Sequence, residues 1–134
     1  MSCLVDSSVW IDFFNRKSKS PEKEALERLI ANDYALYLCP AVYQEVLQGI
    51  RDDRAFEETK YILQYYGMVD VHLMAAANHA VNLYRGLRKK GITIRKPVDC
   101  LIASYAMLGD LHILHNDNDF NQIAKGSGLK IYRV

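Results

Sequence analysis

Residues 1–14 read MSCLVDSSVWIDFF, and Asp6 is the residue to explain. Leu4 and Val5 read as the end of a buried strand, while Val9, Trp10, Ile11, Phe13 and Phe14 read as the apolar face of a helix. A carboxylate between two apolar segments is costly to bury without compensation. Two roles fit it: a cap on the following helix, or a ligand for a cation.

Working outward, residues 2–6 predict a first strand, and Ser8 predicts the N-cap of a helix running to about Asn15. After the polar loop RKSKSP, Ser20 caps and Pro21 starts a second helix, PEKEALERLIAND, with Ala25, Leu26, Leu29 and Ile30 at helical spacing. ALYLC predicts a second strand. Pro40 opens a helix through AVYQEVLQGI that ends near Gly49. DDRAFEETKYILQYY predicts a fourth helix with Phe56, Tyr61, Ile62 and Tyr65 inward, ending at Gly67, and MVDV a weak strand or extended link. A longer helix from Met74 to about Lys90 carries Ala77, Ala80, Val81, Tyr84 and Leu87, and Gly91 stops it. ITIRK is a loop, Pro97 opens VDCLIASYAML, Gly109 closes it, HIL is a core strand, NDNDF a turn and helix start, and LKIYRV a final strand. Short apolar strands separated by helices imply βαβ units, hence an α/β fold whose mostly parallel central sheet is flanked by helices.

The 134 residues suit a single domain, 1–134, with 50% hydrophobic and 25% charged residues and no low-complexity tract. The absence of an N-terminal charged-then-apolar segment or a long apolar run leads us to expect a soluble, cytoplasmic protein without a membrane partner. Cys3, Cys39 and Cys100 are odd in number and irregularly spaced, which suits packed thiols and no disulfide framework. A net charge of +1 excludes a global electrostatic drive toward nucleic acid, so any such site must come from local clustering.

Acids recur where a purely structural account is strained. Asp6 follows the first strand; Glu45 interrupts the low-charge helix AVYQEVLQG; Asp99 lies in the first turn of PVDCLIASYAM; Asp117 and Asp119 flank Asn118 after HILHN. Each has a plain role as a cap, a helix-dipole partner or a solvent-facing group. Together they sit beyond the carboxyl ends of strands or on helices nearby, where parallel sheets place polar ligands. Carboxylates converging in a low-dielectric pocket repel one another, so some protonate unless a cation intervenes. Oxygen donors without His or Cys favour Mg²⁺ or Mn²⁺ over zinc. Such a centre suits hydrolysis of a phosphodiester by an activated water.

The order LVDSSVWIDFF, a helix with an internal Glu, PVDCLIASYAM and then ILHNDNDF resembles the PIN-domain ribonucleases, in particular the VapC-type toxins of bacterial toxin–antitoxin pairs. The resemblance spans essentially the whole chain. It implies a PIN-like α/β/α sandwich, Mg²⁺-dependent (or Mn²⁺-dependent) endoribonuclease activity on tRNA or rRNA, a cognate antitoxin and a homodimer. It carries the family's acidic positions to Asp6, Glu45, Asp99 and Asp117, with Asp119 a further acid for the metal. Ser7, Ser8 and Asn116 are expected to shape the site.

YRGLRKKGITIRKP holds six basic residues, Arg85, Arg88, Lys89, Lys90, Arg95 and Lys96, and no acid, and leads into Asp99. A solvated helix end accounts for such a run; so does a patch that holds RNA phosphates. Arg51 and Arg54 are weaker candidates of the same kind. Most tyrosines fall at core spacing, His112 and His115 bracket an apolar strand, and His72 and His79 carry no site signal. A haloacid-dehalogenase-like phosphatase would need a second Asp two residues after the first, where Ser8 stands. A PIN-like module that binds RNA or protein without cleavage is the rival from another class.

Overall fold

A computed structural model describes residues 2–134. The first strand, β1 (Ser2–Val5), lies at the interior of a four-stranded sheet, and Cys3, Leu4 and Val5 are fully buried. β2 (Ala35–Leu38) pairs with it on one side and β4 (His112–Leu114) on the other, while β3 (Gly67–Met68) adds beyond β2, giving the order β3-β2-β1-β4. Every pairing is parallel, with Leu4 opposite Tyr37 on β2 and Val5 opposite Leu114 on β4. Parallel neighbours need long crossovers, and helices supply them. These are α1 (Ser7–Phe14), α2 (Pro21–Ala31), α3 (Pro40–Gln48), α4 (Asp53–Gln64), α5 (Leu73–Lys89), α6 (Pro97–Leu108) and α7 (Asn118–Lys125). They flank the sheet in the α/β/α arrangement expected of the sequence.

The core is built on the sheet. Trp10 is fully buried, stacks on Phe14 with ring centroids 5.9 Å apart, and meets Phe13 edge-on at 5.8 Å. On α6, Cys100, Ile102, Ala103, Tyr105 and Ala106 are all buried, which is why this helix reads as apolar nearly all round. His79 of α5 and Ser104 of α6 share a 2.7 Å hydrogen bond. Ser104 Oγ already donates to the Cys100 carbonyl, so its lone pair accepts from His79 Nδ1–H.

Four local expectations are corrected. The N-cap of α1 is Asp6, two residues before the expected Ser8: β1 ends at Val5, and the carboxylate that follows accepts from Ser8 N, which leaves Ser8 inside the helix. On α4 Phe56 packs partly buried against the core as expected, but the buried residues are Thr59 and Leu63, whereas Tyr61, Ile62 and the C-cap Tyr65 are 81%, 39% and 83% exposed. On α5 Ala76 and Leu87 are buried and Val81 faces solvent. LKIYRV is not a full strand: Ile131 forms one parallel bridge to Ile113, through Ile113 N to Lys130 O at 2.9 Å and Tyr132 N to Ile113 O at 2.8 Å. Since β4 is only three residues long, it offers little edge for a longer ladder.

The helix-closing glycines differ in what they require. Gly91 takes φ +82°, the left-handed region that ends α5. Gly109 has ordinary dihedrals, but a Cβ there would lie 2.6 Å from Val69 Cγ2 and 3.0 Å from the Tyr105 carbonyl. Gly109→Ala is expected to destabilise the fold by about 1–3 kcal/mol through overpacking, read as a lower urea midpoint with an unchanged slope.

Candidate metal centre

Asp6 N donates to Leu114 O at 2.9 Å, extending the β1–β4 pairing by one residue. The carboxylate of Asp6 therefore stands at the carboxyl end of β1, and Asp117 follows β4 as the N-cap of α7. Asp99 reaches the same end from the first turn of α6, and Asp119 from the first turn of α7. Asp99, Asp117 and Asp119 each offer an oxygen within 4.8 Å of the others. Asp6 stands close enough to Asp99 for its charge to raise the Asp99 pKa.

Each capping carboxylate has divided duties. Asp6 Oδ2 accepts from Ser8 N at 3.1 Å and from Ser8 Oγ at 2.6 Å, while Oδ1 is buried with no hydrogen-bond partner. Asp117 Oδ1 accepts from Asp119 N at 3.0 Å, while Oδ2 accepts from Lys96 Nζ at 2.5 Å. Asp99 Oδ2 and Asp119 Oδ2 are likewise buried without a hydrogen bond. Buried polar atoms in folded proteins are nearly always bonded; two of these orphaned oxygens belong to the Asp99–Asp117–Asp119 group, and the third, on Asp6, lies outside it. A donor set made of carboxylate oxygens alone is chemically suited to a hard cation.

Electrostatics agree with the geometry. Burial raises the Asp6 pKa against the opposing bonds from Ser8 and Ser7. Asp99 is pushed up to about 8, first by burial and then by the charges of Asp6, Asp117 and Asp119, with Lys96 opposing. Burial would also raise Asp117, but the Lys96 ammonium and the Asp119 N–H outweigh it and hold Asp117 below its ordinary value. Burial lowers the His115 pKa, and its Nδ1 accepts from Asp117 N at 3.1 Å, so the ring supports the loop as a neutral acceptor packed against Phe120.

Glu45 lies outside the Asp99–Asp117–Asp119 group. It is half-buried on α3, and its Oε1 accepts from Ser7 Oγ at 3.0 Å, so the residue after Asp6 ties it to the site. Glu45 also borders an apolar groove of 330 Å³ lined by Ile11, Phe14, Val46 and Ile50. Ser8 does shape the site: besides holding Asp6, its hydroxyl accepts from Asn116 N at 2.9 Å.

Asn116 leads to a residue that the sequence patterns did not single out. Its Nδ2 donates to Asp12 Oδ2 at 3.0 Å, and Asp12 also accepts from Ser18 Oγ at 3.0 Å and Ser20 Oγ at 3.3 Å. Asp12 thus joins α1, the loop before α2 and the loop carrying Asp117. Its signal in the sequence was its place as the one charged residue in the apolar run VWIDFF.

The basic run divides. Arg85, Arg88, Lys89, Lys90 and Arg95 are exposed; Lys90 Nζ donates to Gly126 O at 2.7 Å and Arg88 lies over the Tyr84 ring at 5.7 Å. Lys96 alone of the six bonds to the acids, and the charge of Arg95 lowers the Asp117 pKa. The three cysteines are buried free thiols, raised by burial to about 12 at Cys3 and Cys39 and to about 11 at Cys100.

The raised Asp99 has a consequence for stability. With a folded pKa of about 8 against 3.8 for the unconstrained group, the folded state binds more protons than the unfolded state across that interval. Its contribution to stability is complete below the lower value and is lost as pH rises through the upper one. Melting temperature in EDTA should therefore fall between about pH 4 and pH 8. Asp99→Asn should flatten that fall and melt at least about 3 °C above wild type at the alkaline end, the shift that ~1 kcal/mol gives in a domain of this size.

Comparison with known proteins places this geometry. Residues 3–126 match the family described as the PIN domain. The chain is 30% identical over 128 residues to the VapC ribonuclease Mb1587 of Mycobacterium bovis and to ribonuclease VapC11 of Mycobacterium tuberculosis, with 95% of each chain covered. Among solved structures it is similar to VapBC2 from Rickettsia felis bound to a promoter DNA fragment, at TM-score 0.73 and 14% identity over 98% of both chains. It is also similar to VapC20 of Mycobacterium tuberculosis, described as a sarcin-ricin loop cleaving toxin, at TM-score 0.66 and 18% identity over 92% of this chain and 95% of that one. With the family match spanning nearly the whole sheet and all the acids, the chain belongs to the PIN-domain family, among relatives that are VapC ribonucleases.

Proposed function

We propose that the chain is a Mg²⁺-dependent endoribonuclease, with Mn²⁺ able to serve, acting in the cytoplasm as the toxin of a type II toxin–antitoxin pair. A single domain, 1–134, carries it. The observation that supports this most is the convergence of Asp99, Asp117 and Asp119, two of them with an orphaned oxygen, near Asp6 with a third. The ribonuclease names of its relatives and the toxin–antitoxin complexes among similar structures support the substrate and the partner.

In this reading Asp6, Asp99, Asp117 and Asp119 hold the cation. When bound, it supplies charge neutralisation at the scissile phosphate and a lowered pKa for a water. Glu45, steadied by Ser7, orients the water that attacks phosphorus in line. The 3′ oxygen leaves, giving a 5′-phosphate and a 3′-hydroxyl. Arg95 and Lys89 meet the phosphates of tRNA or rRNA on the approach to Asp99. The antitoxin lays an apolar segment in the groove between Ile11 and Ile50, next to Glu45. A homodimer would draw on exposed apolar side chains of α4, its C-cap and α5, namely Tyr61, Tyr65, Leu73, Met74 and Val81. Among the described residues no helix is long and apolar enough to cross a membrane.

The test is cleavage of a structured RNA by purified protein in Mg²⁺ and in EDTA. Asp6→Asn and Asp117→Asn are expected to lower turnover by about 10²-fold or more, with the fold retained by circular dichroism. Turnover at the wild-type rate in either variant, or in EDTA, would remove that residue or the metal from the chemistry. RNA binding without products in any metal would favour the non-cleaving module. Neutralising Lys89 and Arg95 together should reduce the salt dependence of RNA affinity by a slope of roughly 0.7 for each phosphate that the protein no longer neutralises. An unchanged slope would leave the pair as a solvated surface.

A further inference from the structure

Lys96 is the residue before α6, and its four-carbon stem carries the ammonium across to the acids of the site. Its Nζ donates to Asp117 Oδ2 at 2.5 Å and stands 3.9 Å from Asp99 Oδ2, one of the oxygens without a hydrogen bond. The lysine side chain is 46% exposed, whereas those of Asp99 and Asp117 are 4% and 13% exposed, so the ammonium enters from the solvent side and covers the carboxylates. Among the described residues no other Lys or Arg forms an ion pair with Asp6, Asp99, Asp117 or Asp119.

Two of the three acids grouped as metal donors are thus bridged by one monovalent cation. A divalent ion held at ~2.1 Å from carboxylate oxygens would claim the same Asp117 oxygen and stand next to Nζ. Two positive charges so close repel strongly, and one oxygen cannot serve both at full strength. Lysine suits a group that must come and go, being a compact, hydrated point charge on a flexible stem.

We infer that Lys96 is an exchangeable internal counter-ion, whose ammonium takes the cation's place between Asp99 and Asp117 in the metal-free protein and must leave for a divalent ion to bind. This rests on the metal centre proposed above and adds a regulation to it. Lys96 keeps the empty acidic cluster folded and lowers its affinity for metal. Once displaced, its ammonium remains at the rim beside Arg95, within a side chain's reach of a phosphate approaching the site.

The experiment compares the full-length wild type with Lys96→Met and Lys96→Arg, in buffer alkaline enough to keep Asp99 ionised. Mn²⁺ affinity is measured by calorimetry, and melting temperature in EDTA and in saturating Mn²⁺. Exchange predicts that Lys96→Met binds Mn²⁺ about tenfold tighter, melts below wild type in EDTA and matches it in Mn²⁺, while Lys96→Arg binds no tighter than wild type. If Lys96→Met binds Mn²⁺ no tighter than a wild type that does bind it, the exchange is overturned and the metal centre stands. A melting temperature lowered equally in EDTA and in Mn²⁺ makes Lys96 a packing residue and also overturns it. If neither protein binds Mn²⁺, the metal centre fails and the exchange with it.

Discussion

Like charge gathered at the dry end of a parallel sheet is the constraint around which this molecule is arranged. β1 is buried on both faces and paired on both edges, so whatever follows Val5 emerges into the interior's margin and not into bulk water. The residue there is Asp6, and Asp99, Asp117 and Asp119 approach from two other helices. At an effective dielectric near 20, two full charges about 4 Å apart repel by about 4 kcal/mol, a large fraction of a small domain's net stability. The fold therefore contains several devices that moderate this repulsion. Three helix N-termini, those of α1, α6 and α7, carry these acids as caps or in their first turns, with the positive ends of their dipoles nearby. Lys96 pairs with Asp117, and burial with the neighbouring carboxylates pushes the Asp99 pKa up to about 8.

Around those charges runs a hydrogen-bonded scaffold, centred on the Asp12 carboxylate, that fixes their positions. Ser8 holds Asp6 and receives Asn116 N; Asn116 reaches Asp12; Asp12 receives Ser18 and Ser20; Ser20 caps α2 by accepting from Lys23 N at 3.0 Å. The chain of bonds passes from one end of the sequence to the other and back, linking residues more than 100 positions apart. The effect of these bonds is to fix the β4–α7 loop against α1, and with it the position of Asp117 relative to Asp6.

How much of this the sequence disclosed depended on range. Short apolar strands between amphipathic helices, the caps at Ser20 and Pro21, and the stop at Gly91 are local, and they were legible. The order of the acids was legible too, because each stands out from the apolar segment beside it. The inward face of α4 was not: its aromatic residues fit more than one helical stripe, and Tyr61, Ile62 and Tyr65 took the outer one while Thr59 and Leu63 took the inner. LKIYRV has strand composition, yet the brevity of β4 left it a single bridge. Lys96 looked like one member of a basic run, and Asp12 was not singled out at all. What distinguishes both is a contact made by tertiary folding, which no window of sequence contains.

The alternatives that Asp6 first posed, helix cap or cation ligand, are not rivals. A carboxylate has two oxygens, and at both strand ends they are used differently. Asp6 commits Oδ2 to the start of α1 and leaves Oδ1 bare; Asp117 commits Oδ1 to the start of α7 and leaves Oδ2 to Lys96. The capping bond orients the group, holds it ionisable beside free backbone N–H groups, and aims the other oxygen at its neighbours. Serine or asparagine would cap equally well but would bring no charge to the remaining position. The choice of aspartate at these caps therefore carries information that helix stability alone does not require, and it places the same demand at the ends of two adjacent strands.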